Sequence, residues 1–88
     1  MTKNEKKVVK EVESVLKKFM FDKLDKIELE GLDAIIALRL QENNLIERCQ
    51  ISTKVKGDTD LLIETYVLVQ WQYDKLPFTF RSVVKATR

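Results

Sequence analysis

Apolar residues recur every three or four positions along the N-terminal segment, with lysine and glutamate between them. This spacing predicts an amphipathic helix over residues 3–24. Its apolar stripe contains Val8, Val9, Val12, Val15, Leu16, Phe19, Met20 and Leu24. Thr2 and Glu5 have the spacing of a capping box, which marks the beginning of the helix. Such a stripe needs another element to pack against.

The period changes to two in the C-terminal half of the chain. Every second residue over residues 61–73 forms a nearly continuous apolar face, and a similar alternation covers residues 45–55 and 78–87. Turn-forming residues separate these segments at Gly57–Asp60 and at Asp74–Pro77. The pattern predicts three consecutive antiparallel strands with one apolar face.

Residues 32–41 fit two structures. Their alanine, leucine, arginine and glutamine content favours a helix. Alternation instead places five residues on one side of a strand: Leu32, Ala34, Ile36, Leu38 and Leu40. The strand is preferred, with Asn43–Asn44 as a two-residue hairpin turn after it and Lys26–Glu30 as a short extra strand.

The predicted fold is therefore one α+β domain over residues 1–88. One long N-terminal helix packs across a four- or five-stranded antiparallel meander sheet. The alternative is two helices on a three-stranded antiparallel sheet.

Tight turns would also set the register of the sheet. They would place Leu38 opposite Cys49, Cys49 opposite Val67, and Trp71 opposite Phe80, all on the face beneath the helix. On the outer face, Arg39 would lie opposite Arg48, with Ile46 in a neighbouring row.

The outer face is the candidate binding surface. Two like charges directly opposite each other destabilise a sheet unless an anionic group relieves them, although both guanidinium groups could instead extend into solvent. Aliphatic, aromatic and arginine residues together are typical of protein interfaces. The predicted site residues are Arg39, Arg48, Tyr66, Leu68, Gln70, Arg81, Val83 and Lys85.

Composition limits the partners. Of the 88 residues, 44% are hydrophobic and 34% charged, which is an ordinary globular balance. The 16 Lys and Arg residues against 14 Asp and Glu give a net charge of +2, too small by itself to indicate nucleic acid. The charge is unevenly distributed, because residues 75–88 contain basic residues and no acid, whereas residues 22–33 are acidic.

Chemistry-bearing residues are few. The chain has no histidine, and its single cysteine, Cys49, falls on the predicted core face, where a thiol packs as an inert group. Asp58, Asp60 and Glu64 resemble part of a metal motif, but the first two are also ordinary turn residues. We therefore expect no catalysis, no metal and no cofactor.

The sequence favours a small non-catalytic interaction module, such as an adaptor, an inhibitor or an accessory protein of a mobile element. It would act through the outer face, on an acidic protein partner or on a second copy as a homodimer. A nucleic-acid-binding protein using the same basic face is the less favoured alternative. The sequence shows no signal-peptide core or membrane span, which predicts a cytoplasmic protein without membrane contact.

Overall fold

The computed structural model describes residues 1–19, 26–57 and 60–87, as two helices followed by three strands. The elements are α1 (Lys3–Phe19), α2 (Lys26–Gln41), β1 (Ile46–Lys56), β2 (Asp60–Trp71) and β3 (Phe78–Thr87). The strands form one antiparallel sheet in the order β1-β2-β3. The helices lie on one face of the sheet, with α2 against β1 and α1 against β3.

The α1 helix follows its sequence pattern. Val8, Val12, Val15 and Leu16 are buried on one side. The capping box is confirmed, because Thr2 N–H donates to Glu5 Oε1 at 2.7 Å and Glu5 N–H donates to Thr2 Oγ1 at 3.2 Å. The predicted continuation through residues 20–24 lies outside the described residues.

Four or five strands were expected, and the described residues form three, because residues 26–41 are helical. The two-helix alternative is therefore the correct one, and the short strand at Lys26–Glu30 is wrong. Leu32, Ile36 and Leu40 are buried at i, i+4 and i+8 of α2, whereas Leu38 is 64% exposed. A helix buries this spacing on one side, and it turns Leu38 outward.

The connection from α2 to β1 is an Asx turn, in contrast to the predicted hairpin turn. The Asn43 side-chain Oδ1 accepts the Leu45 N–H at 3.0 Å, and the Asn43 carbonyl accepts the Ile46 N–H at 3.1 Å. A β-bulge between Ile46 and Arg48 follows immediately. The bulge turns Ile46 into the core, where it is 6% exposed, and corrects its predicted place on the outer face.

The predicted register is wrong, although the inner face has the expected members on β2, β3 and the part of β1 after the bulge. Cys49 lies opposite Val69 and Val67 lies opposite Phe80. Cys49 was expected opposite Val67, two residues from its observed partner. Phe80 was expected opposite Trp71, four residues from its observed partner. Because both shifts are even, the side chains of β2, β3 and the part of β1 after the bulge keep their predicted faces.

Polar groups cross the inner face at one row. Thr53, Thr65 and Ser82 lie side by side on the three strands, and Thr65 is fully buried. The Thr53 hydroxyl donates a short hydrogen bond to Asp33 of α2 and lies 3.4 Å from the Thr65 hydroxyl. This row ties α2 to the sheet through a partly buried hydrogen-bond network.

Neither helix, over the residues that the structure describes, is long and apolar enough to cross a membrane.

Candidate functional site

The sheet face that turns away from the helices carries the candidate site, here called the open face. Its centre consists of three cross-strand rows. Tyr66 lies between Ser52 and Arg81, and Leu68 lies between Gln50 and Thr79. Glu64 lies between Lys54 and Val83 in the third row.

A shallow groove of about 710 Å³ runs over these rows. Its outward side chains come from all three strands: Gln50, Ser52, Tyr66, Leu68, Thr79 and Arg81. Tyr66 is 41% exposed, and Leu68 is half-buried. The groove therefore offers an aromatic ring and an aliphatic floor with hydroxyl, amide and guanidinium groups around them. This is the mixture found in protein-binding surfaces.

Glu64 is an acid held closely on the open face. The Tyr66 hydroxyl donates a 2.9 Å hydrogen bond to Glu64 Oε2, and Lys56 Nζ lies 3.5 Å from Oε1. Although it projects from the open face, Glu64 is 6% exposed. The Tyr66 hydrogen bond lowers the pKa of Glu64, with burial opposing the effect and the charges of Lys56 and Arg81 adding to it. Glu64 is thus an ionised, already paired group.

The remaining charges of the open face are basic. The acidic outward position is Glu64. This holds for the outward positions from Arg48 to Lys56 on β1, from Leu62 to Gln70 on β2 and from Thr79 to Lys85 on β3. The basic outward positions there are Arg48, Lys54, Lys56, Arg81 and Lys85. The Lys54 ammonium lies 6.0 Å from the centre of the Tyr66 ring, at cation–π distance. The surface therefore presents positive charge around Tyr66.

Seven of the eight predicted site residues lie on the open face. They are Arg48, Tyr66, Leu68, Gln70, Arg81, Val83 and Lys85. The groove itself unites Tyr66, Leu68 and Arg81. Arg48, Val83 and Lys85 lie around it, with Val83 43% exposed.

Arg39 lies off the open face, and Gln70 lies on it with different neighbours from those predicted. Arg39 is an exposed residue of α2, beside Lys7, Glu11 and Glu42, so its predicted pairing with Arg48 is wrong. Arg48 instead lies opposite Gln70. The Gln70 side-chain amide donates to the Asp74 carbonyl at 2.9 Å and to that of Lys75 at 3.3 Å. Gln70 therefore holds the β2–β3 loop.

The predicted set omitted Ser52 and Thr79, which line the groove on either side of β2. Their outward positions follow from the alternation of β1 and β3, but small hydroxyl residues give no separate signal.

The alternation predicted for residues 32–41 also placed Leu38 in the core. With Ala34 and Ile35, Leu38 instead forms a second exposed apolar area, on α2.

Cys49 is half-buried, and its Sγ lies 3.9 Å from the Ala37 carbonyl oxygen. Burial raises the pKa of its thiol, which disfavours the nucleophilic thiolate. In the part of the chain that the structure describes, no three His, Cys, Asp or Glu residues form a metal-binding group. The predicted Asp58–Asp60 turn includes residues outside that part.

Comparison with known protein families, curated proteins and solved structures finds no match for this chain, so its function has to be inferred from the geometry of the open face.

Proposed function

We propose that the protein is a small non-catalytic interaction module that binds an acidic segment of a partner protein in the groove of the open face. The observation that carries the proposal is the exposed Tyr66 ring with Lys54 and Arg81 beside it. An aromatic anchor contributes contact area, and the neighbouring cations select for acidic side chains. Leu68 supplies an apolar floor for one aliphatic side chain of the partner.

The ion pair and hydrogen bond of Glu64 also support an acidic partner. Its carboxylate is held by Tyr66 and Lys56, so it competes little for Arg81 and Lys85. Those two cations are exposed and available to acidic groups. The same charge disfavours two copies meeting through their open faces, because such a contact would oppose basic residues with basic residues.

A defined peptide pair tests the proposal. The probe is a short synthetic peptide of alternating glutamate and leucine, and the matched control alternates lysine and leucine. We expect the acidic peptide to shift the amide NMR signals of Ser52, Tyr66 and Arg81, with binding that weakens as salt is added. Arg81→Ala should weaken binding about tenfold, since one charge-assisted contact is lost.

The matched control variant is Lys10→Ala, which removes an exposed cation from α1, on the opposite side of the sheet. It should leave peptide binding unchanged. Equal binding of the basic peptide, or signal changes confined to the helices, would contradict the proposal.

Nucleic acid is the second candidate, favoured by Tyr66 between Lys54 and Arg81, where one base could stack. The other described aromatic residues of the strands, Trp71, Phe78 and Phe80, are on the inner face, so the open face lacks a stacking series. Titration of a fluorescent single-stranded oligonucleotide separates the candidates. Tight binding with a steep salt dependence that Arg81→Ala reduces would favour nucleic acid over the acidic peptide.

A further inference from the structure

The β3 strand is an edge of the sheet, with β2 on one side and an unpaired backbone on the other. Its inward residues Phe78, Phe80 and Val84 are only half-buried, although they pack against the core. An edge with free N–H and C=O groups and half-covered apolar side chains is suited to pairing with another strand.

The charges of β3 identify which strand fits. Two β3 strands can pair antiparallel in two registers that each give nine of their ten residues a partner. The two-fold axis passes through Ser82 in one register and through Val83 in the other. The axis at Val83 would place Arg81 opposite Lys85 of the second copy, two like charges facing each other. The axis at Ser82 avoids this contact, because Arg81 then faces Val83 and Lys85 faces Thr79.

The same register is favourable on the inner face. Phe80 of each copy would lie opposite Val84 of the other, and Ser82 would face its own equivalent. The half-covered apolar side chains of the two edges would then cover each other. We propose that two copies of the chain associate through β3, antiparallel and centred on Ser82, to form one continuous six-stranded sheet.

The opposite edge, β1, is protected against such pairing. It contains the bulge between Ile46 and Arg48, and a bulge opposes strand addition. The register that pairs the whole of β1, centred on Ile51, would place Arg48 opposite Lys54. Pairing through β3 therefore ends with two β1 edges instead of continuing into a fibre.

The dimer would unite the two open faces. Each Arg81 would lie next to Val83 of the second copy at the centre of the continuous sheet, with the two grooves on either side. Two acidic segments, or one long segment, could then bind across the two-fold axis. Both grooves would face the same way, so a bivalent partner would gain from binding them together.

A charge change at the axis tests the association. Val83→Lys would oppose the new lysine to Arg81 of the second copy twice, while within its own chain position 83 faces Glu64, an acceptable neighbour. We expect light scattering after size exclusion to give twice the 10.3 kDa of one chain for the wild type, and the mass of one chain for this variant. Val83→Thr is the matched control and should remain dimeric. Val83→Lys combined with Arg81→Glu should restore the dimer.

A cross-link tests the register. In the background Cys49→Ala, Ser82→Cys would place two thiols on the axis, with Cα atoms about 4.5–5.5 Å apart, within disulfide range. Val84→Cys is the matched control, since its two copies would be separated by four residues, or about 13 Å along the strand. Mild oxidation should give covalent dimers of Ser82→Cys and not of Val84→Cys.

A monomeric wild type at about 0.5 mM, or equal cross-linking of both cysteine variants, would overturn the proposed association. So would a Val83→Lys protein that remains dimeric. The groove is tested separately, because a folded monomer can still bind the acidic peptide. Loss of dimerisation with peptide binding intact would leave the proposed function standing, and the reverse result would leave the dimer standing.

Discussion

The Tyr66 hydroxyl donates a hydrogen bond of 2.9 Å to the carboxylate of Glu64, two residues earlier on the same face of β2. This contact lowers the pKa of Glu64 and keeps the acid paired at neutral pH. It also fixes one side of the Tyr66 ring, whose exposed surface borders the groove. The sheet thus positions its aromatic anchor without a contact from either helix.

Tyr66→Phe should raise the pKa of Glu64 toward its ordinary value, because the hydrogen bond to the ionised form is lost. Since the folded pKa of Glu64 is lowered, its ionisation stabilises the fold above the unfolded pKa, and this contribution disappears as the pH falls through the folded pKa. The stability difference between wild type and variant should therefore be present at neutral pH and should disappear in acid.

Carboxyl-carbon NMR titration measures the pKa of Glu64, and urea unfolding at several pH values measures the stability difference. Tyr73→Phe is the control, because the Tyr73 hydroxyl instead accepts a hydrogen bond from Asn4. An unchanged pKa of Glu64 in Tyr66→Phe would contradict this account.

The second prediction separates a helix from a strand at residues 32–41. Ile36 is 1% exposed and Leu38 is 64% exposed. Ile36→Ala should cost about 2–5 kcal/mol of unfolding free energy, because it leaves a cavity in the core. Leu38→Ala should change it by less than about 0.5 kcal/mol, as at other exposed positions. Urea denaturation of both variants is the measurement, and similar large losses would indicate the alternating strand.

The error at α2 has a simple physical cause. Leu32, Ile36 and Leu40 are four residues apart, a spacing that places them on one side of a strand and also on one side of a helix. The difference depends on Ala34 and Leu38, which a strand would bury and this helix exposes. Because both are apolar, their identity did not contradict the strand.

The alternation of β2 and β3 was sufficient to predict which face each side chain occupies, since a period of two has only two solutions. Turn length was the weaker guide. The β2 strand ends at Trp71, so the β2–β3 connection is longer than the tight turn that would pair Trp71 with Phe80. Tyr66, Leu68 and Arg81 were therefore correctly placed on the open face, while their neighbours in each row were not.

The third prediction concerns the buried polar row. Thr53 donates its hydroxyl proton to Asp33, so Thr53→Val removes a partner of a half-buried carboxylate. This should cost about 1–3 kcal/mol, the usual penalty for an unsatisfied buried polar group. Thermal and urea unfolding provide the measurement.

Thr53→Ser is the matched variant, because it keeps the hydroxyl and removes one methyl group. It should be more stable than Thr53→Val. The opposite order of stability would show that packing, and not the hydrogen bond to Asp33, is what Thr53 contributes.

The fourth prediction tests the beginning of α1. Thr2→Ala removes the hydroxyl that accepts the Glu5 N–H and should cost about 1 kcal/mol of unfolding free energy. Thr2→Ser should retain most of the stability, because serine is an equally good cap. The pKa of Glu5 is lowered, mainly by its hydrogen bond from the Thr2 N–H. NMR titration should show that this pKa rises in Thr2→Ala as the capping box loosens.

The bulge beside Glu47 changes which residues of β1 point inward, so that even-numbered residues do so before it and odd-numbered residues after it. Before it, the even-numbered Ile46 is inward, whereas after it the odd-numbered Cys49 and Ile51 are inward. The extra residue of the bulge thus shifts the inward–outward alternation of β1 by one position. The strand can leave α2 with Ile46 inward and still match the alternation of the rest of the sheet. An engineer who deletes Glu47, or grafts a new connection ahead of it, would exchange the inside and outside of one segment and would have to restore the lost residue elsewhere.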